Sequence, residues 1–516
     1  MVKNYEKKKK KIGTVISYPE PPNSQRFSFV AIEGVEVKRD TFVEVPINSG
    51  TIVARVSNVS KSNRYYTSPE TVRFYEGEGK GIDDYFPTKE WENTIGSAEV
   101  LGIMKNDGKM ESPSYPVSPG EDVFEASPDT LMKFIGIEEN GLLIGKLKHH
   151  DLDVKLNLTR LFQKHLAILA MSGAGKSHLA TVLIEELLDR EEGSGRPAVM
   201  VIDVHGEYCE LGSPPIEPGK TDYSYKVRVI DASEIKIGVP NLDAIQIQSF
   251  VEEMSEVQRR ELDKVIDKLR IDMNSGLGPY DLEDIISRVE VEEMNRKTKE
   301  ALVGWLYDLN SLGIFGKYDN PSLSGLLRPG KAVVIDLSSL DHLKRKRIIV
   351  SYLLNRAFYL RKTEEIPPTI IFLEESHQFC PEGGRSISKP IVERIAREGR
   401  KFCLSLCLIS QRPVKLSTTA LSQCNTHVIL RVTNPNDLKH IGESSEGITK
   451  STLEAITTLQ VGEGLIVGEA VNYPIFVRIR GRKSQEPSVS GKLEDVAKKF
   501  ELDLLEQEED VRAFLR

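Results

Sequence analysis

Cysteine is scarce and unpatterned in this chain. There are five in 516 residues, Cys209, Cys380, Cys403, Cys407 and Cys424, with no Cys-x-x-Cys pair. That number and spacing exclude a disulfide framework and speak against a zinc site. Cys403 and Cys407 share a helical spacing, yet they lie in Lys401-Phe-Cys-Leu-Ser-Leu-Cys-Leu-Ile-Ser410, which reads as a buried strand. The thiols are therefore expected to be reduced and packed as small hydrophobes. Long apolar runs are also missing: no window approaches the roughly 18 residues a membrane helix needs. The opening Met1-Val-Lys-Asn-Tyr-Glu lacks the apolar core of a secretory signal, so a cytoplasmic protein without membrane contact is expected. Positive charge is not in excess either. The net charge of −8 excludes a surface coated with basic residues. It leaves open a ring that confines positive charge to its channel behind an acidic outer face.

The length implies two to four domains, and 39% apolar with 28% charged residues describes a globular chain. Residues 1–11, with lysines at 7 to 11, read as a solvated basic tail. Short β-branched segments follow at Ile12–Ser17, Arg26–Ile32, Thr41–Pro46 and Gly50–Ser57, with further strand-like pieces at Ala98–Ile103 and Lys133–Ile137. Such spacing predicts a small antiparallel β-barrel over 12–150, interrupted by an insertion near 68–91.

From about residue 151 apolar strands alternate with helices, the pattern of an α/β core with a parallel sheet buried on both faces. This core is expected over 151–240 and 318–485. Residues 241–317 are strand-poor and read as a helical bundle inserted into it, with amphipathic runs at 251–262 and 299–312. The tail, 486–516, reads as acidic amphipathic helix with Phe500, Leu502, Leu505 and Phe514 as docking residues.

The chemistry centres on Ala167-Ile-Leu-Ala-Met-Ser-Gly-Ala-Gly-Lys-Ser-His178 and the helical run after it. An apolar strand, a small-residue loop ending Gly-Lys-Ser and a helix are the parts of a phosphate-binding P-loop. Ser172, Gly173, Ala174 and Gly175 let backbone N–H groups wrap the phosphates, and His178 opens the helix. Lys176 brings a point charge to the β and γ phosphates, and Ser177 a hydroxyl for Mg2+. The residue six before the lysine is Ala170 where the strict pattern has glycine. ATP and Mg2+ are the ligands this site implies.

The strand Thr369–Leu373 delivers Glu374 and Glu375 at its carboxyl end, beside the phosphates in an open α/β sheet. Glu374 is expected in the magnesium shell, and Glu375 as the base that orients and deprotonates water. The next strand ends Ser410-Gln411-Arg412-Pro413, and Gln411 can sense the γ-phosphate. Between these strands, Arg400 follows Gly399 at a helix end, where an arginine can stabilise phosphate charge at a subunit boundary. Asp203 and Glu207, in Asp203-Val-His-Gly-Glu-Tyr208, would stand near the nucleotide. His205, with no second ligand at metal spacing, reads as a hydrogen-bonded structural histidine.

Taken together, Ile168–Ser177, Asp203–Tyr208, Ile335–Ser338, Glu374–His377, Arg394–Phe402 and Ser410–Pro413 resemble the HerA family of the HerA/FtsK group of hexameric DNA translocases. The resemblance spans roughly residues 10–485. It implies a RecA-like P-loop ATPase core with an inserted helical bundle, preceded by a barrel of the type shared with ATP synthase subunits. It further implies a homo-hexameric ring that hydrolyses ATP to move double-stranded DNA through its channel, working with a NurA-like nuclease in DNA end resection and recombinational repair. Carried over, Glu375 is the catalytic acid, Arg400 the arginine finger and Gln411 the sensor. Lys164 stands where the family has an arginine that reaches a neighbour's nucleotide, and a lysine there lacks the forked contact. The loop after the catalytic strand offers Arg385 and Lys389 as channel charges that grip DNA. Two other classes share parts of this pattern: a secretion or conjugation ATPase motor, and a nuclease-associated defence ATPase scaffold. The amino-terminal barrel and the lack of a membrane segment weigh against the first, and Glu375 with Gln411 against the second.

Overall fold

The computed structural model describes residues 10–486 apart from 78, 80 and 446, together with 494, 497, 498 and 500–502. The lysines at 7 to 9 and most of the expected tail helix, including Leu505 and Phe514, lie outside the described residues.

The amino-terminal strands are β1 (Lys11–Ile16), β2 (Arg26–Ala31), β3 (Phe42–Ile47), β4 (Gly50–Asn63), β5 (Glu92–Lys105), β6 (Met110–Glu111) and β7 (Asp122–Glu125). Antiparallel pairing runs β1-β2-β5-β4-β3-β7 and back to β1, which closes a six-stranded barrel, with β6 as a short ribbon on β5. Alternate residues point inward: Phe27 and Phe29, Val43 and Val45, Ile52, Ala54 and Val56 share one core. The inward ring of Phe29 needs Gly96 opposite it, since a Cβ there would lie 2.5 Å from the ring. The β4–β5 hairpin runs beyond the barrel and carries residues 64–91 at its tip, including the helix Pro69–Gly77. This lobe is held by aromatic contacts, Tyr65 stacked on Phe86 at 5.0 Å and the Arg64 guanidinium 3.7 Å over the Trp91 ring.

The barrel departs from the sequence reading at Lys133–Ile137, which is not a strand. Residues Pro128–Ile135 form a helix, started by the Ser127 hydroxyl accepting the Thr130 N–H and stopped by Gly136 at φ +81°. Leu131, Phe134 and Ile135 bury one face at helical spacing, a 3.6-residue period hidden among β-favouring side chains. The barrel is closed by β7 instead.

The larger sheet comprises β8 (Leu142–Leu147), β9 (Asp153–Leu156), β10 (Leu166–Leu169), β11 (Ala198–Asp203), β12 (Val227–Asp231), β15 (Ala332–Asp336), β16 (Thr369–Leu373), β17 (Leu404–Ser410), β18 (Thr426–Ile429), β19 (Glu463–Gly468) and β20 (Ile475–Ile479). Between β12 and β15 a separate two-stranded ribbon pairs β13 (Ile237–Gly238) with β14 (Phe315–Gly316). The order in the large sheet is β12-β15-β11-β16-β17-β10-β18-β19-β20-β8-β9. From β12 to β18 the pairs are parallel, and from β18 to β9 they are antiparallel. The antiparallel extension was not foreseen, and it takes up β9 together with β8, which the expected boundary at 150/151 leaves with the barrel. Successive residues of the central strands enter two different cores: Ala167, Met200 and Ile371 on one face, Ile168, Val201 and Phe372 on the other. Burial on both faces is why these strands read as continuous apolar runs.

Between β13 and β14 run the helices Ala244–Phe250, Glu256–Asp272, Leu282–Val291 and Arg296–Ser311. Ser255 and Gln258 form a capping box at the start of the second, so the helix begins after the expected run's first residues. Leu262, Ile266, Ile286, Leu302 and Leu306 join the core beneath the sheet. The cysteines divide: Cys380, Cys407 and Cys424 are buried as expected, Cys209 is half-buried, and Cys403 is exposed. Cys403 lies just outside β17 in a left-handed turn at φ +53°, which breaks the strand expected over 402–410 and turns its thiol to solvent.

Candidate functional site

The loop from β10 to the helix Lys176–Leu188 takes the P-loop path. Gly173 and Gly175 have φ of +75° and +99°, while an added Cβ at Gly173 would meet nothing within 4 Å. These glycines serve backbone conformation first. Ala170 is buried and donates its N–H to the Ser410 carbonyl at 3.2 Å. It has no positive φ, so alanine suits the place of the usual glycine. The Ser177 hydroxyl donates to the Glu207 carboxylate, and His178 Nε2 donates to the Arg480 carbonyl at 2.8 Å.

Strand order sets the rest of the site. β17 lies between β16 and β10, so Glu375 and Gln411 leave neighbouring strands at the edge where the P-loop leaves its own. Glu375 has φ 45° and ψ 42°, a left-handed conformation that costs a non-glycine residue about 1–2 kcal/mol. It is 2% exposed, and among the described residues its Oε2 is buried without a hydrogen bond. Burial raises its pKa, against the opposing charges of Lys176 and His205 and a hydrogen bond from the Gln411 amide. His377 Nδ1 lies 3.2 Å from Ser410 Oγ and from Glu375 Oε2. Burial first, then the charges of Arg412, Lys415 and Lys176, pushes this imidazole down to about 4, so it is neutral at pH 7.

Below these stand three more carboxylates. Asp203 Oδ1 accepts the N–H groups of His205, Gly206 and Glu207 at 3.2, 2.8 and 3.1 Å, and Oδ2 accepts that of Tyr208 at 2.8 Å. Asp203 thus shapes the turn that carries Glu207 to Ser177. Glu374, 2% exposed, accepts the Val204 N–H at 2.9 Å, and burial with the charges of Asp203 and Glu207 pushes its pKa up to about 9. A packed acid group with its charge partly suppressed suits a site completed by a cation. Ser177 and Glu374 are the side chains that could hold Mg2+ with a nucleotide, and Glu207 lies against the Ser177 hydroxyl.

Lys164 and Arg400 are elsewhere. Both lie at the amino ends of their strands, β10 and β17, while the phosphate loop is at the carboxyl ends, roughly 20 Å away along the seven residues of β17. There they share an acid: Lys164 Nζ is ion-paired with Glu469, whose carboxyl also feels the charge of Arg400. Lys389 Nζ donates to the Pro381 carbonyl at 2.8 Å and so folds the loop after the catalytic strand, while Arg385 on that loop is exposed.

Sequence reasoning passed over two features. His165, 2% exposed, accepts the Leu406 N–H on Nδ1 at 2.9 Å and donates from Nε2 to the Ala396 carbonyl at 3.0 Å, tying β17 to the helix that leads to Arg400. The segment Arg480–Ser484 lies across the P-loop helix, where the fully buried Glu185 accepts the Ser484 N–H and hydroxyl at 2.8 and 2.7 Å, the Lys483 N–H at 3.1 Å and Arg480 Nη1 at 2.8 Å. Burial works to raise the pKa of Glu185, and these bonds overcome it and hold the carboxylate ionised. The acid pair Glu185-Glu186 within the apolar run Thr181-Val-Leu-Ile-Glu-Glu-Leu-Leu188 was the available signal.

Fold and site together define a P-loop ATPase. The profile of the family described as Helicase HerA, central domain, matches residues 142–357. A probable helicase of Methanocaldococcus jannaschii is 31% identical over 410 residues, covering 75% of this chain and 76% of that protein. The DNA double-strand break repair helicase HerA of Pyrococcus furiosus is 29% identical over 447 residues, covering 76% and 78%. The chain belongs to the HerA family, and it is an ATP-hydrolysing enzyme. Among solved structures, VirB4 of Thermoanaerobacter pseudethanolicus is similar with a TM-score of 0.51 at 15% identity, over 67% of this chain and 97% of that one. That likeness is one of fold. Among the described residues no helix is long and apolar enough to cross a membrane.

Proposed function

We propose that this chain is an ATP-driven translocase of double-stranded DNA, assembled as a homo-hexameric ring and acting with a NurA-like nuclease in DNA end resection and repair. Its RecA-like core would carry the inserted helical bundle, preceded by the barrel. The observation that carries the reading is the Glu375 carboxylate, buried and strained beside Gln411, with its Oε2 lacking a hydrogen bond among the described residues, in a chain of the HerA family. An unmade hydrogen bond on a buried acid is costly and marks a place kept for a ligand.

In this reading the N–H groups of Ser172 to Ser177 cradle the phosphates and Lys176 neutralises the β and γ oxygens. Bound with the nucleotide, magnesium would draw further charge from those oxygens. Glu375 Oε2 accepts a hydrogen bond from the attacking water and takes its proton, a task suited to a carboxylate raised above its ordinary pKa. Gln411, bonded to Glu375 and next to the γ-phosphate position, links loss of that phosphate to movement of β17. His178 joins the P-loop helix to the Arg480 segment and leaves only its backbone N–H for nucleotide. Arg400 and Lys164, too far from their own nucleotide, would serve the site of the next subunit, and Arg385 would grip the DNA backbone without reading sequence.

The test is steady-state ATP hydrolysis with and without linear double-stranded DNA at low salt, for the native chain and Glu375→Gln. DNA should stimulate the native enzyme, and the substitution should lower turnover at least about 100-fold while leaving ATP binding intact. Hydrolysis indifferent to DNA would overturn the translocase reading in favour of a secretion-type motor.

A further inference from the structure

Glu207 stands at the centre of the site without a part in the chemistry above. It is half-buried, at the tip of the turn that Asp203 builds through four backbone N–H groups. So tight a scaffold for one carboxylate needs a reason. Gly206, at φ +76°, makes the turn and sends the next side chain toward the P-loop. The Glu207 carboxylate ends on Ser177 Oγ, on the first turn of the P-loop helix. Glu374, the other acid at hand, has an oxygen committed to the Val204 N–H and is 2% exposed. Arg482, whose charge faces Glu207, spends its guanidinium on Ser484 Oγ at 3.2 and 3.3 Å.

A hydroxyl has one hydrogen and two lone pairs. Left to rotate, the Ser177 hydroxyl has no fixed orientation before the ion arrives, and the ion must itself order it, lone pair inward, against that freedom. A carboxylate acceptor on the protein side removes that freedom, and it adds a negative charge close to where the ion arrives.

Resting on the ATPase reading, we propose that Glu207 is the positioning residue for magnesium: by accepting the Ser177 hydrogen it turns the Oγ lone pair toward the ion that accompanies ATP. The Asp203-Val-His-Gly-Glu turn exists to hold this acceptor in place. Outer partners that orient a ligating group in this way commonly contribute 10- to 100-fold in metal affinity.

Mn2+ is the probe, read by its paramagnetic resonance in the full-length protein with a non-hydrolysable ATP analogue. Glu207→Ala should raise the half-saturating Mn2+ concentration at least about tenfold. Analogue affinity without metal should stay within about twofold, since no phosphate contact is lost. Glu207→Gln, whose amide oxygen accepts the same hydrogen bond, should recover most of the Mn2+ affinity. An unchanged Mn2+ dependence in Glu207→Ala would overturn the proposal. So would equal losses in the alanine and glutamine variants, which would mean charge rather than positioning, or a parallel loss of metal-free binding, which would mean a merely structural role. If the native chain bound no analogue, or bound it as Lys176→Ala does, the ATPase reading itself would fall first.

Discussion

Two histidines show how burial turns a single side chain into a pH limit. His165 and His427 are 2% and 3% exposed, and burial pushes each down to about 4. The unfolded chain, with histidines near 6.5, takes up protons first, so stability is lost as pH falls from 6.5 toward 4. At pH 5 each should cost about 2 kcal/mol. Denaturant titrations at pH 7 and pH 5 should show that loss. His165→Gln, uncharged at both, should lose stability at pH 7 but flatten its share of the slope. His165 also matters through what it holds, since the bonds from its two nitrogens fix the approach to Arg400.

Among the elements, the segment Arg480–Ser484 and the P-loop helix are one mechanical unit. Glu185 is a buried charge compensated by four hydrogen bonds from that segment, and removing one side of such a group leaves the other stranded. Glu185→Ala should destabilise the fold by about 3 kcal/mol and expose the chain after β20 to protease, measured by calorimetry and limited proteolysis. Gly399 plays a related part at the other end of the sheet. Its φ is ordinary, but a Cβ would lie 2.4 Å from the Leu404 carbonyl and 2.9 Å from Ile395. The requirement there is close approach of the helix end to β17, which sets where Arg400 emerges.

At the scale of the whole molecule, the residues proposed for catalysis divide between opposite edges of one sheet. Lys176, Ser177, Glu375 and Gln411 gather at one edge, and Lys164 and Arg400 at the other. In the proposed ring a complete site would need two copies, one giving each edge. Lys176→Ala and Arg400→Ala should each abolish DNA-stimulated hydrolysis alone. Mixed before assembly, they should regain a measurable fraction of it, because some boundaries join an intact P-loop to an intact Arg400. Mixtures as inactive as the separate variants would show that Arg400 does not act across a boundary.

The sequence by itself determined the chemistry carried on contiguous residues. A strand, a Gly-Ala-Gly-Lys-Ser loop and a helix cannot be arranged in many ways, and acids at the end of an apolar strand must fall at the nucleotide edge of a parallel sheet. Alternation of short strands likewise announced a barrel, and apolar runs a sheet buried on both faces. Tertiary structure decided whatever depended on partners distant in the chain. Closure of the barrel by β7, the antiparallel extension through β19, β20, β8 and β9, and the helix at Pro128–Ile135 were settled by register and packing that local propensity does not encode. The sequence sets Glu207 near the nucleotide without naming its partner, and Glu185 is an ordinary acid in it. Only the fold brings one to the Ser177 hydroxyl, 30 residues away, and lays residues 480–484 over the other, because a buried polar group is defined by the partners that enclose it.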